Sequence, residues 1–208
     1  MTSRRWGAAV LGSVALAVLA ACGGERDNNY LENSDAGVFA RLPVDWTVFP
    51  ADDGNPVADP RVDLGYGAWR VVVDGAAEPS RAHIEEQTPD EPVGYALVTP
   101  LEGTELTPTL AGLRSLASPD GSDPLAGPVP GLAVEEYDEI DLGHAWGSRI
   151  TTDYTQPDGS HLKITQLAFI DEGSNRLTLF TLGCSAECFD DHIDEINTVV
   201  ASFTIEER

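Results

Sequence analysis

The feature that most constrains the fold is a series of long apolar segments in the C-terminal half of the chain, separated by short turn sequences. Strands are predicted over residues 132–140, 145–154, 162–170 and 177–182. The sequences at 156–159 (Gln-Pro-Asp-Gly) and 171–175 (Asp-Glu-Gly-Ser-Asn) are typical of hairpin turns. Because a hairpin joins neighbouring strands that run in opposite directions, the last three strands are predicted to be sequential and antiparallel.

The two final strands carry apolar residues on both faces, which predicts a sheet that is covered on both sides. In the first of them, Ile164 and Ala168 alternate with Leu167 and Phe169. Further strands are predicted at 38–42, 46–49, 69–74 and 95–99, a helix at 106–116 and a loop at 118–131. The pattern predicts an α+β domain in which helices lie on both sides of a mainly antiparallel sheet.

An amphipathic helix is predicted near the C-terminus. Its apolar residues Phe189, Ile193, Ile196 and Val200 recur at helical spacing. Ser185 is the expected N-cap, and the acidic residues that follow it suit the positive end of a helix. We expect the apolar stripe of this helix to lie against the sheet.

The first 22 residues have the parts of a secretory signal for a lipoprotein. Arg4 and Arg5 form a basic start, and residues 6–18 form an apolar core that is shorter than the roughly 20 residues of a spanning helix. The sequence Leu-Ala-Ala-Cys then ends at Cys22. This tetrad is similar to the bacterial lipobox, which implies cleavage before Cys22 and lipidation of that cysteine.

The predicted organisation has three parts: a lipoprotein signal peptide at 1–21, a lipidated cysteine and flexible tether at 22–35, and a globular domain at 36–208. The tether is predicted because its sequence is polar and has few apolar residues. Two or more acyl chains make a stable anchor, so the expected location is the extracytoplasmic face of the cell membrane. The paired arginines leave both the Sec and the twin-arginine export routes open.

The charge of the chain argues against nucleic acid as a partner. The sequence has 35 acidic and 12 basic residues and a formal charge of −23, which becomes −25 when Arg4 and Arg5 leave with the signal. Such a charge repels phosphate backbones and anionic headgroups. Membrane attachment is therefore expected from lipid. The acidity itself is typical of a solvated surface, and attraction to a cationic partner or to divalent ions is the alternative.

Two cysteines that are close in sequence, Cys184 and Cys188, predict a disulfide bond. An exported protein folds in an oxidising compartment, where such a pair becomes bonded. The alternative is a redox-active pair, because a helix N-terminus lowers the pKa of a thiol. The three intervening residues differ from the two of a redox motif and favour the structural disulfide.

The segment at 38–46, Val-Phe-Ala-Arg-Leu-Pro-Val-Asp-Trp, resembles the opening of PsbP-like domains, in which a strand runs into a Leu-Pro-x-x-Trp turn. The C-terminal hairpins and the helix that closes on Val-Ala-Ser-Phe-Thr at 200–204 are similar too. Over about residues 36–206, the chain most resembles the LpqN-type lipoproteins of actinobacteria. The resemblance implies an α/β/α sandwich around an antiparallel sheet and an envelope role, without any catalytic residue. The Pro/Gly-rich segments 52–63 and 118–131 depart from the family pattern.

Aromatic and titratable residues are the remaining candidates for a site. Trp46, Trp69 and Trp146 are candidates for lining an apolar ligand pocket, although such residues are more often part of a core. The four histidines match no metal-binding motif, and the sequence has no nucleophile elbow. Aspartates in the Gly/Pro-rich loops are interpreted as solvated turns, with calcium binding as the alternative. No catalytic residue, metal site or cofactor is predicted.

These features favour a non-enzymatic envelope lipoprotein that binds an envelope protein or serves as an accessory subunit. The alternative is a lipid or glycolipid carrier with an aromatic-lined pocket, which an apolar cavity of several hundred Å³ would support. An enzyme is the third hypothesis, and it requires a histidine, a carboxylate and a nucleophile that converge in one cleft.

Overall fold

The structure is a computed structural model that describes residues 28–50, 69–102, 106–173 and 175–207. Its strands are β1 (Asn28–Asn33), β2 (Val38–Pro43), β3 (Thr47–Pro50), β4 (Trp69–Asp74), β5 (Val93–Pro100), β6 (Leu132–Asp141), β7 (Ala145–Thr155), β8 (His161–Asp171), β9 (Arg176–Ser185) and β10 (Thr204–Ile205). Its helices are α1 (Leu110–Ser115), α2 (Ala186–Asp191) and α3 (Ile193–Ser202), with a 3-10 helix at Arg81–Glu85.

Seven strands form one large sheet in the order β3-β4-β5-β9-β8-β7-β6. Every neighbouring pair in it is antiparallel, so the predicted mainly antiparallel sheet is confirmed. The two predicted hairpins are present, with Trp146 opposite Ile170 in one and Ala168 opposite Leu179 in the other. After β5 the chain crosses to the far edge of the sheet, where it forms β6. It then returns through β7 and β8 to β9, which lies between β5 and β8.

One face of the large sheet is covered by α3 and by a second, three-stranded sheet in the order β1-β2-β10. Phe180 and Leu182 of β9 lie in this core together with Ile196 and Val199 of α3. The ring of Phe180 stacks on Phe203, with 4.9 Å between the ring centroids. The cover of this face therefore includes a small sheet that the sequence pattern did not predict.

The opposite face of the large sheet is covered by α1, which contributes Leu113 and Leu116 to a second apolar cluster. The sheet residues in that cluster are Leu97, Ala168, Ile170, Leu177 and Leu179. Leu179 and Phe180 are consecutive and fully buried on opposite faces, which is the two-sided burial that the pattern of this strand predicted. The helix is shorter than the predicted 106–116 because the hydroxyl of Thr109 caps it by accepting from the amide of Gly112.

Two further predictions are corrected by the strand and helix bounds. Residues 28–33 lie within the predicted flexible tether, but they form β1, which pairs with β2 along its whole length. Leu31, which is 1% exposed, holds this polar strand in the core. The predicted single C-terminal helix is divided at His192, whose backbone φ of −105° and ψ of 15° separate α2 from α3.

Candidate interaction surface

The predicted disulfide between Cys184 and Cys188 is confirmed, with 5.9 Å between the two Cα atoms. It joins the end of β9 to α2, and Ser185 between them caps α2 by accepting from the amide of Cys188. Both cysteines are buried within the apolar core beneath α3. A buried bond in this position serves the packing of the helix, so the structural interpretation fits better than redox activity.

The three candidate tryptophans lie on both faces of the sheet and do not line one pocket. Trp46 is buried in the core beneath the small sheet, and Trp69 packs against the same cluster. Trp146 packs against the cluster beneath α1. The Trp46 ring lies so close to Gly75 that a Cβ atom there would be 2.7 Å from its Cε2 atom. These rings fill the core, which accords with the ordinary role of tryptophan in a packed domain.

Some predictions fall outside the described residues. Cys22, the signal at 1–21 and the first part of the tether belong to residues 1–27, and the aspartates of 52–63 lie in the second undescribed range. Lipidation at Cys22 therefore stays a prediction. In the other acidic loop, hydrogen bonds from Ser122 and Ser118 lower the pKa of Asp120 to about 2.

A charged cluster that sequence patterns did not reveal holds the loop after α1. The Arg114 guanidinium donates to both carboxylate oxygens of Asp123, at 2.8 and 2.6 Å, and to the hydroxyl of Tyr137 at 2.8 Å. The hydrogen bond from Arg114 lowers the pKa of Asp123, and the same bond raises the pKa of Arg114. Because Asp123 is engaged in this bidentate pair, it is a poor candidate for the calcium ligand considered above.

A buried carboxylate and a histidine form a second polar cluster that the sequence did not reveal. Asp74 is fully buried at the end of β4, and it accepts from the amides of Ala76 and Ser80. Its Oδ2 also lies 2.8 Å from Nδ1 of His83. These contacts close the turn between β4 and the 3-10 helix. In the described part of the chain, no group of three or more His, Cys, Asp or Glu side chains is placed to hold a metal ion.

The outer side of the small sheet carries exposed and half-buried apolar and aromatic side chains around one arginine, with the exposed carboxylate of Glu32 beside them. Tyr30 of β1 lies opposite Arg41 of β2, and its ring lies 5.5 Å from that of Phe39. Pro43 ends β2, and Val44 after it is 59% exposed. We call the surface formed by Tyr30, Phe39, Arg41, Pro43 and Val44 the Arg41 face. Among the residues that the structure describes, the guanidinium of Arg41 has no hydrogen-bond or ion-pair partner.

Two open depressions adjoin the Arg41 face where β2 meets α3. The larger, of about 520 Å³, is lined by Arg41, Asp194, Asn197, Thr198, Ala201 and Ser202. The smaller, of about 200 Å³, is lined by Asn28, Arg41, Leu42, Pro43, Asp194, Glu195 and Thr198. Ser202 closes the end of this junction by accepting from the amide of Arg41 at 2.8 Å. Both depressions are open to solvent, so neither encloses a ligand as the pocket of a lipid carrier would.

The edge strand β6 is the most acidic part of the large sheet. It carries Glu135, Glu136, Asp138, Glu139 and Asp141. Arg149 of β7 pairs with Glu136 at 2.8 Å and with Asp138 at 3.3 Å, and Lys163 of β8 pairs with Glu135 at 3.1 Å. Charged side chains on an edge strand discourage pairing with strands of other chains. We call this row of carboxylates the β6 acidic edge.

Comparisons with known proteins identify the fold. No family model matches the sequence, and no curated protein matches it either. CyanoP, the cyanobacterial PsbP of Synechocystis sp. PCC 6803, matches with a TM-score of 0.50 and 14% identity over 90% of this chain and 99% of that one. LpqN, involved in cell envelope biogenesis of Mycobacterium tuberculosis, matches at 0.49 and 14% over 86% and 90%. The Ran-binding protein Mog1p of Saccharomyces cerevisiae matches at 0.44 and 11% over 86% and 96%.

The helices of the described ranges include none with the length and apolar character that crossing a membrane requires.

At an identity of 14%, the likeness to CyanoP is informative about architecture only. It covers the whole of that protein and nearly all of this chain. The chain therefore has the PsbP-like fold that the Leu-Pro-x-x-Trp turn predicted.

Proposed function

We propose that this protein is a non-enzymatic lipoprotein, anchored through Cys22 on the extracytoplasmic face of the membrane, that binds an envelope protein as an accessory module. The observation that carries the proposal is a signal ending in Leu-Ala-Ala-Cys ahead of a domain that contains a disulfide. The two features agree, because a disulfide belongs to an oxidising compartment and the signal directs the chain to one. A relationship to the LpqN-type lipoproteins belongs to the same proposal and rests on residues 38–46, on residues 200–204 and on the order of the elements.

The polar clusters of the described part support a binding role rather than catalysis. The histidine rings contact carboxylates, as in the pairs His83–Asp74 and His161–Asp153, or a backbone carbonyl, as His144 does. In these three contacts the ring nitrogen faces a carboxylate or a carbonyl oxygen and not the hydroxyl or thiol of a nucleophile. A lipid carrier is less well supported, because the tryptophans lie in two clusters and the depressions beside Arg41 are open to solvent and do not enclose a ligand.

The anchor is tested by replacing Cys22 with serine. We expect the wild-type protein to float with membranes in a density gradient and to carry acyl groups by mass spectrometry. The Cys22→Ser variant should accumulate as uncleaved or mislocalised precursor, because the serine hydroxyl offers no thiol for lipidation. A variant that is cut normally and still floats would contradict the proposed anchor.

The partner is tested by photo-crosslinking in native membranes. A photoreactive residue at Glu139 on the β6 acidic edge, and in a second variant at Leu125, samples two exposed parts of the domain. We expect at least one site to yield the same envelope protein in repeated experiments, identified by mass spectrometry, and the Cys22→Ser variant to lose that crosslink. If neither these sites nor others across the exposed surface give a reproducible protein, the accessory role is refuted.

A further inference from the structure

We propose that the Arg41 face lies against the lipid headgroups, so that the domain has a preferred orientation on the membrane. The inference rests on the proposed lipid anchor at Cys22. It specifies which surface of the domain contacts the bilayer. Neither the signal nor the fold determines that surface.

The length of chain between the anchor and the first strand limits how far the domain can move from the membrane. Only residues 23–27 separate Cys22 from Asn28, where β1 begins. Even a fully extended chain covers at most about 3.5 Å per residue, so these two Cα atoms are no more than roughly 20 Å apart. Asn28 pairs with Pro43 at the end of the small sheet. This end of the domain is therefore held near the bilayer surface.

The surface at this end has the side chains that suit a membrane interface. Of the five exposed large hydrophobic side chains in the described part, Tyr30 and Val44 belong to the Arg41 face. Ile193, a third, directly precedes Asp194, which lines both adjoining depressions. Tyrosine rings are enriched at the level of the headgroups, and an unpaired guanidinium can donate to phosphate oxygens. The chemistry of this surface therefore fits a phospholipid headgroup layer.

The charges around the Arg41 face mean that the tether and apolar contacts, and not attraction to anionic lipid, must hold the domain in this orientation. Asp194 and Glu195 lie beside Arg41. Glu32 and Asp45 are also exposed close to it, so carboxylates outnumber the one guanidinium on this side of the domain. A short tether also raises the effective concentration of the face at the bilayer, so weak apolar contacts become sufficient.

The orientation is tested with the full, natively lipidated protein in vesicles of phosphatidylcholine and phosphatidylglycerol. Val44→Cys and, as a matched control, Leu125→Cys carry a fluorophore in separate variants, and a spin label on the lipid headgroup quenches it. The two positions are comparably exposed, at 59% and 47%. Leu125 follows the Arg114–Asp123 pair in the loop after α1, which covers the opposite face of the sheet. Only the new thiol reacts, because Cys184 and Cys188 are bonded and Cys22 is acylated.

We expect quenching at position 44 to be at least about twofold stronger than at position 125, because the label lies at interface depth. Equal quenching, or stronger quenching at position 125, in protein that floats with the vesicles would overturn the orientation and leave the anchor intact. If the wild-type protein does not float, the anchor itself fails and the orientation falls with it. A flotation assay on every variant therefore separates the two failures.

Discussion

The two faces of the large sheet are covered by different means. On one face, α3 and the small sheet bury a continuous apolar cluster that extends from Leu31 to Ile205. On the other, the six-residue α1 contributes Leu113 and Leu116 to a smaller cluster, and the loop that follows is held by the ion pair of Arg114 and Asp123. The first cover depends on buried apolar area, which is not directional, and the second depends on a few directed polar contacts. The first should therefore resist acid and salt better than the second.

The largest expected effect is on the apolar cover. Phe180→Ala removes a fully buried ring that stacks on Phe203, and we expect the free energy of unfolding to fall by about 3–5 kcal/mol. Leu179→Ala, one residue away on the opposite face, should cost about 2–4 kcal/mol for its smaller side chain. Urea unfolding of the two variants compares the faces directly. If Leu179→Ala were the more damaging change, the face under α1 would carry more of the stability than we infer.

The next effect concerns the ion pair of Arg114 and Asp123, which lies on the other face of the large sheet. Arg114→Met leaves the largely buried Asp123 carboxylate without its partner, and we expect a loss of about 2–3 kcal/mol. Hydrogen exchange should become faster in the loop at 116–131 and stay unchanged in α3. Arg149→Met is the matched control, since its partners Glu136 and Asp138 are exposed, and it should cost less than about 1 kcal/mol. Faster exchange in α3 would show that the two covers are coupled.

A similar but smaller loss is expected on the apolar side when the disulfide is removed. Its loop is short, so the paired change of Cys184 and Cys188 to alanine should lower the free energy of unfolding by about 2 kcal/mol. The melting temperature should fall while the far-ultraviolet circular dichroism stays native, because the rest of the apolar stripe of α3 remains buried. Loss of the folded spectrum would mean that the bond is required for the helix to dock at all.

The smallest expected effect is a dependence of stability on pH, and we expect it only from the ion pair of Arg114 and Asp123. The hydrogen bond from Arg114 lowers the pKa of Asp123 below that of an unfolded chain. The pair therefore contributes stability above about pH 4. This contribution is lost as the pH falls through the pKa that Asp123 has in the folded protein. We expect the difference in stability between wild type and Asp123→Asn to shrink as the pH falls below 4. The corresponding difference for Phe180→Ala should not shrink, and chemical denaturation at several pH values compares them.

Local sequence patterns predicted the elements whose residues alternate clearly. The strand predicted at 69–74 coincides with β4, and Ser185 caps α2 as expected. The pattern failed where one buried residue decides the structure. β1 has a polar sequence, and only the pairing with β2 and the burial of Leu31 make it a strand. A propensity argument cannot detect such a strand, because tertiary pairing overrides it.

The candidate surface was less accessible to sequence reasoning than the fold. The sequence offers Trp46, Trp69 and Trp146 as candidates for one pocket, yet the pleat and the strand order place Trp146 on the face opposite to Trp46. The Arg41 face arises from β1 and β2 together, and its depressions require α3, which lies about 150 residues further along the chain. Nothing local in the sequence relates Arg41 to Ser202.

The sequence by itself determined the antiparallel hairpins of β7, β8 and β9, the amphipathic C-terminal segment, the pairing of Cys184 with Cys188 and the acidic character of the surface. These depend on residues that are neighbours along the chain, where alternation, turn chemistry and short loops leave few choices. Only the tertiary structure decided that β9 inserts beside β5, that β10 pairs with β2 and that Arg114 binds Asp123 beside Tyr137. Distant segments meet because their apolar faces are buried together, and that choice depends on the shape of the whole core.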